Sequence, residues 1–236
     1  MDAAEARGRD LAVQGAPTST NAPMAMSGLA MAMSGLAMAI APDGYFLTAA
    51  HLTTNGPIQL FFWTSQGPQA ARARVVASRL SRKPWMDVAV IHVDAKLPAV
   101  FEWCDARELA AGRPLIEVGA SSKVIAGECL RFRRACLAGK VKAVSASAKG
   151  ISLIKSDLTS RAGDSGGPVV TPSGKLAGVH SGVSSSLFGA AGVSIRPAPG
   201  WVADVIAADR LVSPPDAPPV LARHIDESWA WMLISF

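Results

Sequence analysis

Short apolar segments separated by turn residues recur along most of this chain, and this pattern constrains its fold more than any other feature. After an Asp43-Gly44 turn between two apolar runs, which predicts a β-hairpin, nine further segments look like strands. They are residues 58–63, 73–77, 88–93, 114–119, 139–144, 150–155, 168–171, 175–180 and 192–195. Only residues 200–210 have helical periodicity, with an apolar face of Trp, Val and Ile side chains. The sequence therefore predicts an all-β sandwich or barrel.

The run from Gly163 to Pro168, Gly-Asp-Ser-Gly-Gly-Pro, has the composition of a loop that carries a nucleophile. A serine hydroxyl such as that of Ser165 is a weak nucleophile until an adjacent base takes its proton. Flanking glycines let the backbone turn tightly and bring its N–H groups to a reacting carbonyl. His51, which follows Thr-Ala-Ala, can supply the base, and Asp87, at the head of an apolar strand, can orient it.

These three segments resemble those of the chymotrypsin-fold (trypsin-like) serine proteases, over roughly residues 34–210. The order His51, Asp87, Ser165 is the order of that family. The resemblance implies two antiparallel six-stranded β-barrels and a C-terminal helix, with the triad in the cleft between the barrels. It implies a serine endopeptidase that acts on proteins or peptides through an acyl-enzyme, with an oxyanion hole formed by the amides of Gly163 and Ser165. It implies no metal and no cofactor.

Within this family, the region after the serine resembles that of the glutamyl endopeptidases. Those enzymes carry a histidine 15 residues after the serine, where His180 stands here, and a hydroxyl about five residues before it, where Ser160 stands beside Thr159. With Ser181, these residues are the candidate specificity pocket. An imidazole and a hydroxyl can satisfy a buried carboxylate. Viral chymotrypsin-like proteases read glutamine with a similar histidine, so preferences for Glu and Gln both remain open.

The resemblance and the composition together predict four regions. They are a flexible N-terminal extension (1–23), a first barrel (24–108), a second barrel (109–199), and a final region with a helix, a Pro-rich linker and an apolar tail (200–236). A link between the barrels is expected near residues 105–112. The apolar tail is expected to pack on its own domain or to dock on a partner.

Residues 24–30 are repeated without change at 31–37, which indicates a local duplication with a weakly specified strand register. The uncharged span 24–41 is at the short limit for crossing a membrane. The acidic residues before it are wrong for a secretory signal, and the cytoplasm is therefore favoured.

Composition narrows the remaining possibilities. Half of the 236 residues are hydrophobic, which argues for a globular protein and against disorder. The net charge of +5 is modest and its cations are dispersed, so no specific nucleic-acid partner is expected. Three cysteines without a Cys-x-x-Cys spacing indicate neither a zinc site nor a disulfide framework. Cys129 and Cys136 could face each other across a hairpin, although buried free thiols are favoured.

Two other interpretations compete with the endopeptidase. In an α/β-hydrolase, Asp216 and His224 would follow Ser165 in the order of that fold. However, Pro168 starts a strand where that fold needs a helix. The second alternative is a protease-like binding module with impaired catalysis. Asp164 favours it, because the matching aspartate of trypsin-like zymogens pairs with a freed N-terminus and this chain has no matching activation site.

Overall fold

The computed structural model contains two β-sheets, three short or medium helical segments and the loops that join them. It describes residues 11–13, 35–54, 56–125, 129–146, 150–159, 163–186 and 189–212. Apart from residues 11–13, which form a strand, the predicted N-terminal extension lies outside the described residues. So do the first repeat copy, Ser160, the Pro-rich linker and the apolar tail.

The first sheet holds five of the described strands in the order β2-β3-β6-β5-β4. Its strands are β2 (Ala37–Ala41), β3 (Tyr45–Thr48), β4 (Ile58–Thr64), β5 (Gly67–Arg82) and β6 (Trp85–His92). The predicted Asp-Gly hairpin joins β2 to β3, with Gly44 at φ 93°. A Cβ at Gly44 would lie 1.8 Å from the Val93 carbonyl oxygen, so glycine is required there. A 3-10 helix (Ala50–Thr53) follows β3.

The second sheet closes into a six-stranded barrel. Its strands are β7 (Pro114–Ile125), β8 (Cys129–Ala146), β9 (Ile151–Ser156), β10 (Pro168–Val170), β11 (Leu176–Ser186) and β12 (Gly189–Pro197). Closure comes from the pairing of β8 with β9, and β1 (Leu11–Val13) adds to the outer side of β8. The all-β, two-barrel fold is thereby confirmed, with the first sheet as an open half-barrel of five described strands. Because β10 is a strand, the α/β-hydrolase alternative is wrong.

One apolar core joins the two sheets and the C-terminal helix. The helix α1 (Pro199–Val212) buries Val202 and Ile206 in a cluster that also contains Met38 and Val90 of the first sheet and Val193 of the second. The two barrels therefore share a hydrophobic cluster across their interface. No helix in the described part of the chain is long and apolar enough to span a membrane.

The end of α1 is fixed to the first sheet by two carboxylates. Tyr45 donates its hydroxyl proton to Asp209 at 2.8 Å, and Arg74 also donates to that carboxylate, at 2.6 Å through Nη1. Arg210 makes a two-pronged pair with Asp43, both contacts at 2.7 Å. The hydrogen bond from Arg74 lowers the pKa of Asp209, and that from Arg210 lowers the pKa of Asp43.

A buried arginine connects the chain segment between the two barrels to β11 through hydrogen bonds. Arg196, only 8% exposed, donates to the carbonyls of Leu176 (3.1 Å) and Ala177 (3.0 Å) through Nη1, and to that of Cys104 (2.7 Å) through Nη2. The Cys104 amide also donates to Leu176 at 3.0 Å. After this contact the chain forms a 3-10 helix (Ala106–Leu109) that is closed by a capping box.

The cysteine predictions need correction. Cys129 and Cys136 lie on the same strand, β8, seven residues apart. At about 3.4 Å per residue their Cα atoms are roughly 24 Å apart, so they do not face each other across a hairpin. Cys136, for which the sequence favours burial, is an exposed free thiol, whereas the free thiol of Cys104 is buried.

Candidate active site

His51 and Asp87, the predicted base and its orienting carboxylate, both belong to the first half of the molecule. His51 stands in the 3-10 helix directly after β3, and Asp87 stands on the adjacent β6. The two residues are joined twice: the His51 amide donates to Oδ1 of Asp87 at 2.9 Å, and the His51 Nδ1 lies 2.7 Å from Oδ2. Because an ionised carboxylate only accepts, Nδ1 carries a proton and Nε2 is the acceptor of the neutral ring.

Asp87 receives a further hydrogen bond from the second barrel. The Ser181 hydroxyl donates to Oδ2 at 2.6 Å, and the Trp85 indole donates to the Ser181 oxygen at 3.1 Å. Burial of Asp87 raises its pKa, but the hydrogen bonds from His51 and Ser181 outweigh burial and hold the pKa below its ordinary value. Asp87 is therefore an anion at neutral pH, held between the two barrels.

The loop that carries Ser165 is fixed by backbone hydrogen bonds. The Gly166 amide donates to the His180 carbonyl at 2.8 Å, and the His180 amide donates to Gly167 at 2.8 Å. The Gly167 amide also donates to Asp164 at 2.9 Å, which closes the turn around the serine. Gly166 has φ 82°, a conformation that favours glycine. The half-buried Ser165 is thus positioned against β11.

The same loop is held against the first sheet. The Leu36 amide donates to the Ser165 carbonyl at 2.8 Å, and the Leu36 carbonyl accepts from the Thr48 hydroxyl at 2.6 Å. A Cβ at Gly35 would lie 2.5 Å from the Ser165 carbonyl oxygen and 2.4 Å from Cδ1 of Leu52, the residue after the histidine. The structure therefore brings the serine loop against the segment that carries His51. Sequence reasoning missed Leu36 and Thr48, because no motif marks a contact between two distant backbones.

The described residues of the predicted specificity pocket differ in their burial and in their contacts. His180 is fully buried, and its Nδ1 lies 3.2 Å from Oε1 of Glu117, whose side chain is also fully buried. Thr159 is exposed, and the Ser181 hydroxyl is engaged with the carboxylate described above. Glu117 was missed by sequence reasoning, although a carboxylate in the middle of an apolar strand was a signal for it.

Asp164 is buried against the second barrel. A Cβ at Gly119 would lie 2.4 Å from Oδ1 of Asp164, so the strand β7 leaves room for this carboxylate only through a glycine. Gly163, beside it, has φ 99°. In the described part of the chain, His, Cys, Asp and Glu side chains do not gather in groups of three that could hold a metal ion.

The chain is similar to known peptidases over most of the described region. A family model of the trypsin-like peptidase domain matches residues 34–179. A probable periplasmic serine endoprotease, DegP-like, from Pseudomonas fluorescens is 26% identical over 158 residues, which cover 66% of this chain and 30% of that protein.

Solved structures show the same fold. The HtrA-type protease AlgW with a tripeptide has a TM-score of 0.53 and 21% identity, and the match covers 74% of this chain and 55% of that one. The serine endoprotease from Yersinia pestis has a TM-score of 0.52 and 21% identity, with 77% and 59% covered. The chain thus spans less than two thirds of the length of these relatives.

Proposed function

We propose that the chain, which belongs to the trypsin-like peptidase family because the family model matches more than half of its sequence, is a serine endopeptidase. Its proposed catalytic triad is His51, Asp87 and Ser165. The observation that carries the proposal is the double link between His51 and Asp87, at 2.9 and 2.7 Å. It orients an imidazole at the position where the backbone of the serine loop meets the first sheet.

The proposed reaction follows from this geometry. Nδ1 of His51 is engaged with Asp87, so Nε2 takes the proton of the Ser165 hydroxyl as its oxygen attacks the peptide carbonyl. The imidazolium that forms is stabilised by Asp87, which the Ser181 hydroxyl helps to keep ionised. Nε2 then gives its proton to the leaving amine. Water hydrolyses the acyl-enzyme by the same route.

The amides of Gly163 and Ser165 are proposed to stabilise the oxyanion. Within the described residues, neither amide donates to a backbone carbonyl, whereas those of Gly166 and Gly167 both do. Two amides without an internal acceptor in a glycine-rich turn are suited to bind a developing negative charge.

We further propose a preference for Glu or Gln before the scissile bond, read by His180. Support comes from its place in the loop: the carbonyl of His180 accepts from Gly166, the residue after the nucleophile. The following residue, Ser181, contacts Asp87. The backbone of His180 thus contacts the serine loop, and its imidazole is of a chemical type that can donate a hydrogen bond to an amide or carboxylate of the substrate. Thr159 and Ser160 remain candidates for the opposite wall.

The test is labelling with a fluorophosphonate probe together with peptide hydrolysis. Wild-type protein is expected to label once per chain and to cleave peptides, whereas Ser165→Ala should do neither and still unfold at the same urea concentration. Ser184→Ala, a half-buried serine elsewhere on β11, is the matched control and should behave as wild type. Wild-type protein that binds peptides without labelling would support the binding-module alternative, and equal hydrolysis by Ser165→Ala would refute the triad.

A further inference from the structure

A carboxylate and an imidazole meet in the interior of the second barrel. Glu117 is on β7 and His180 is on β11, and their Oε1 and Nδ1 atoms lie 3.2 Å apart. Because β10 lies between these strands, the side chains can meet only on one face of the sheet. Leu115, two residues before Glu117 and on the same face, belongs to the buried cluster of this barrel.

The pair is closed off from water. The side chain of Glu117 is 0% exposed and that of His180 is 1% exposed. Neither Glu117 oxygen has a hydrogen-bond partner of good geometry within the described residues, and no other cation there lies within ion-pair distance. A lone charge is unfavourable at such a buried site, and at 3.2 Å the carboxylate and the imidazole can compensate each other's charge.

We propose that Glu117 makes this peptidase select glutamine over glutamate before the scissile bond; the inference rests on the proposed function of His180. A glutamate substrate needs a cationic imidazole. Here the positive charge of the imidazole is already balanced by Glu117, so a bound glutamate would add an uncompensated buried charge. A glutamine amide accepts a hydrogen bond from the same imidazole without adding charge. The buried carboxylate therefore sets the charge that the pocket accepts.

The experiment compares kcat/KM for two peptides that differ only in Gln or Glu before the scissile bond. Wild-type protein should prefer Gln at least tenfold. Glu117→Gln, which keeps the size of the side chain, should shift the ratio toward Glu at least tenfold. Glu117→Leu should shift it in the same direction. Because removal of one partner of a buried pair is destabilising, the urea midpoint of each variant is measured beside its kcat/KM ratio, which compares two peptides on the same folded protein. In a His180→Gln background, the effect of Glu117→Gln should disappear.

The matched control is Glu102→Gln, which removes an equal charge from the surface, where the side chain is 80% exposed. It should leave the Gln-to-Glu ratio unchanged. A wild-type preference for Glu, or an unchanged ratio in both Glu117 variants, would overturn the inference while leaving the triad intact. Cleavage after other residues would overturn the role of His180 as well. Loss of Ser165-dependent hydrolysis altogether would instead refute the proposed function.

Discussion

Replacing Arg196 with methionine should destabilise the protein strongly, because its buried guanidinium donates hydrogen bonds to three backbone carbonyls. The carbonyls of Ala177 and Cys104 each lose a donor, at 3.0 and 2.7 Å, on the loss of the guanidinium. Leu176 keeps the amide of Cys104 as a donor at 3.0 Å. Ala177 stands where the ladder between β10 and β11 shifts register, so that ladder does not pair it.

The magnitude follows from those two carbonyls. Each buried acceptor that is left without a donor costs about 1–3 kcal/mol. Removal of the buried charge offsets part of this free-energy cost, since no carboxylate in the described part of the chain pairs with Arg196. We expect Arg196→Met to lower the free energy of unfolding by about 2–4 kcal/mol. Arg196→Lys should cost roughly half as much, because one ammonium group retains only some of the contacts.

Urea unfolding followed by tryptophan fluorescence measures the change. With a slope of about 2 kcal/mol per molar urea, the midpoint of Arg196→Met should fall by roughly 1–2 M. Arg82→Met, which removes an exposed arginine, should change the free energy by less than about 0.5 kcal/mol. If Arg196→Met and Arg82→Met unfold at the same urea concentration, the reasoning about the buried guanidinium is refuted.

Three other changes should have effects that can be measured separately. Ser181→Ala removes one hydrogen bond to the Asp87 carboxylate, and a bond to a charged group is worth about 1.5–3 kcal/mol. It should therefore lower kcat roughly tenfold or more with little change in KM, and an unchanged kcat would contradict the role of Ser181. Asp43 and Asp209 have pKa values below their ordinary value of 3.8, so the stability that they contribute is complete above about pH 5 and is lost as the pH falls below 3.8. An equal urea midpoint at pH 6 and pH 3 would contradict this pH dependence. Gly166→Ala forces a Cβ to within 2.0 Å of a backbone carbonyl at φ 82° and should abolish labelling of the serine, and full labelling would show that the loop can shift.

The sequence predicted the strands where turn residues bracket an apolar alternation, and it missed their full length elsewhere. The segment 114–119 proved to be part of Pro114–Ile125, and 139–144 part of Cys129–Ala146. Between these segments, Ser, Lys, Arg and Gly interrupt the apolar residues, so no continuous period-2 signal marks the whole stretch as strand. Their pairing is set by the partner strand instead.

The residues of the candidate site also fall into those that a local sequence pattern predicts and those that it does not. His51 and Asp87 were recognisable because local motifs surround them, and the structure joins the two. The contact of Ser181 with Asp87 spans 94 positions and depends on how two barrels meet, which no local pattern encodes. The pairing of Glu117 with His180 likewise requires the barrel to close first.

The hydrogen bond from Leu36 to the Ser165 carbonyl makes the position of Ser165 depend on the opposite half of the molecule. Leu36 precedes the first sheet in the sequence, so the described strands of the second barrel do not supply this contact by themselves. Assembly of the proposed active site therefore requires both halves of the chain. Under the proposed function, a half-folded chain would carry the serine hydroxyl without the base of the first sheet that activates it, and hydrolysis would begin only when both halves have met.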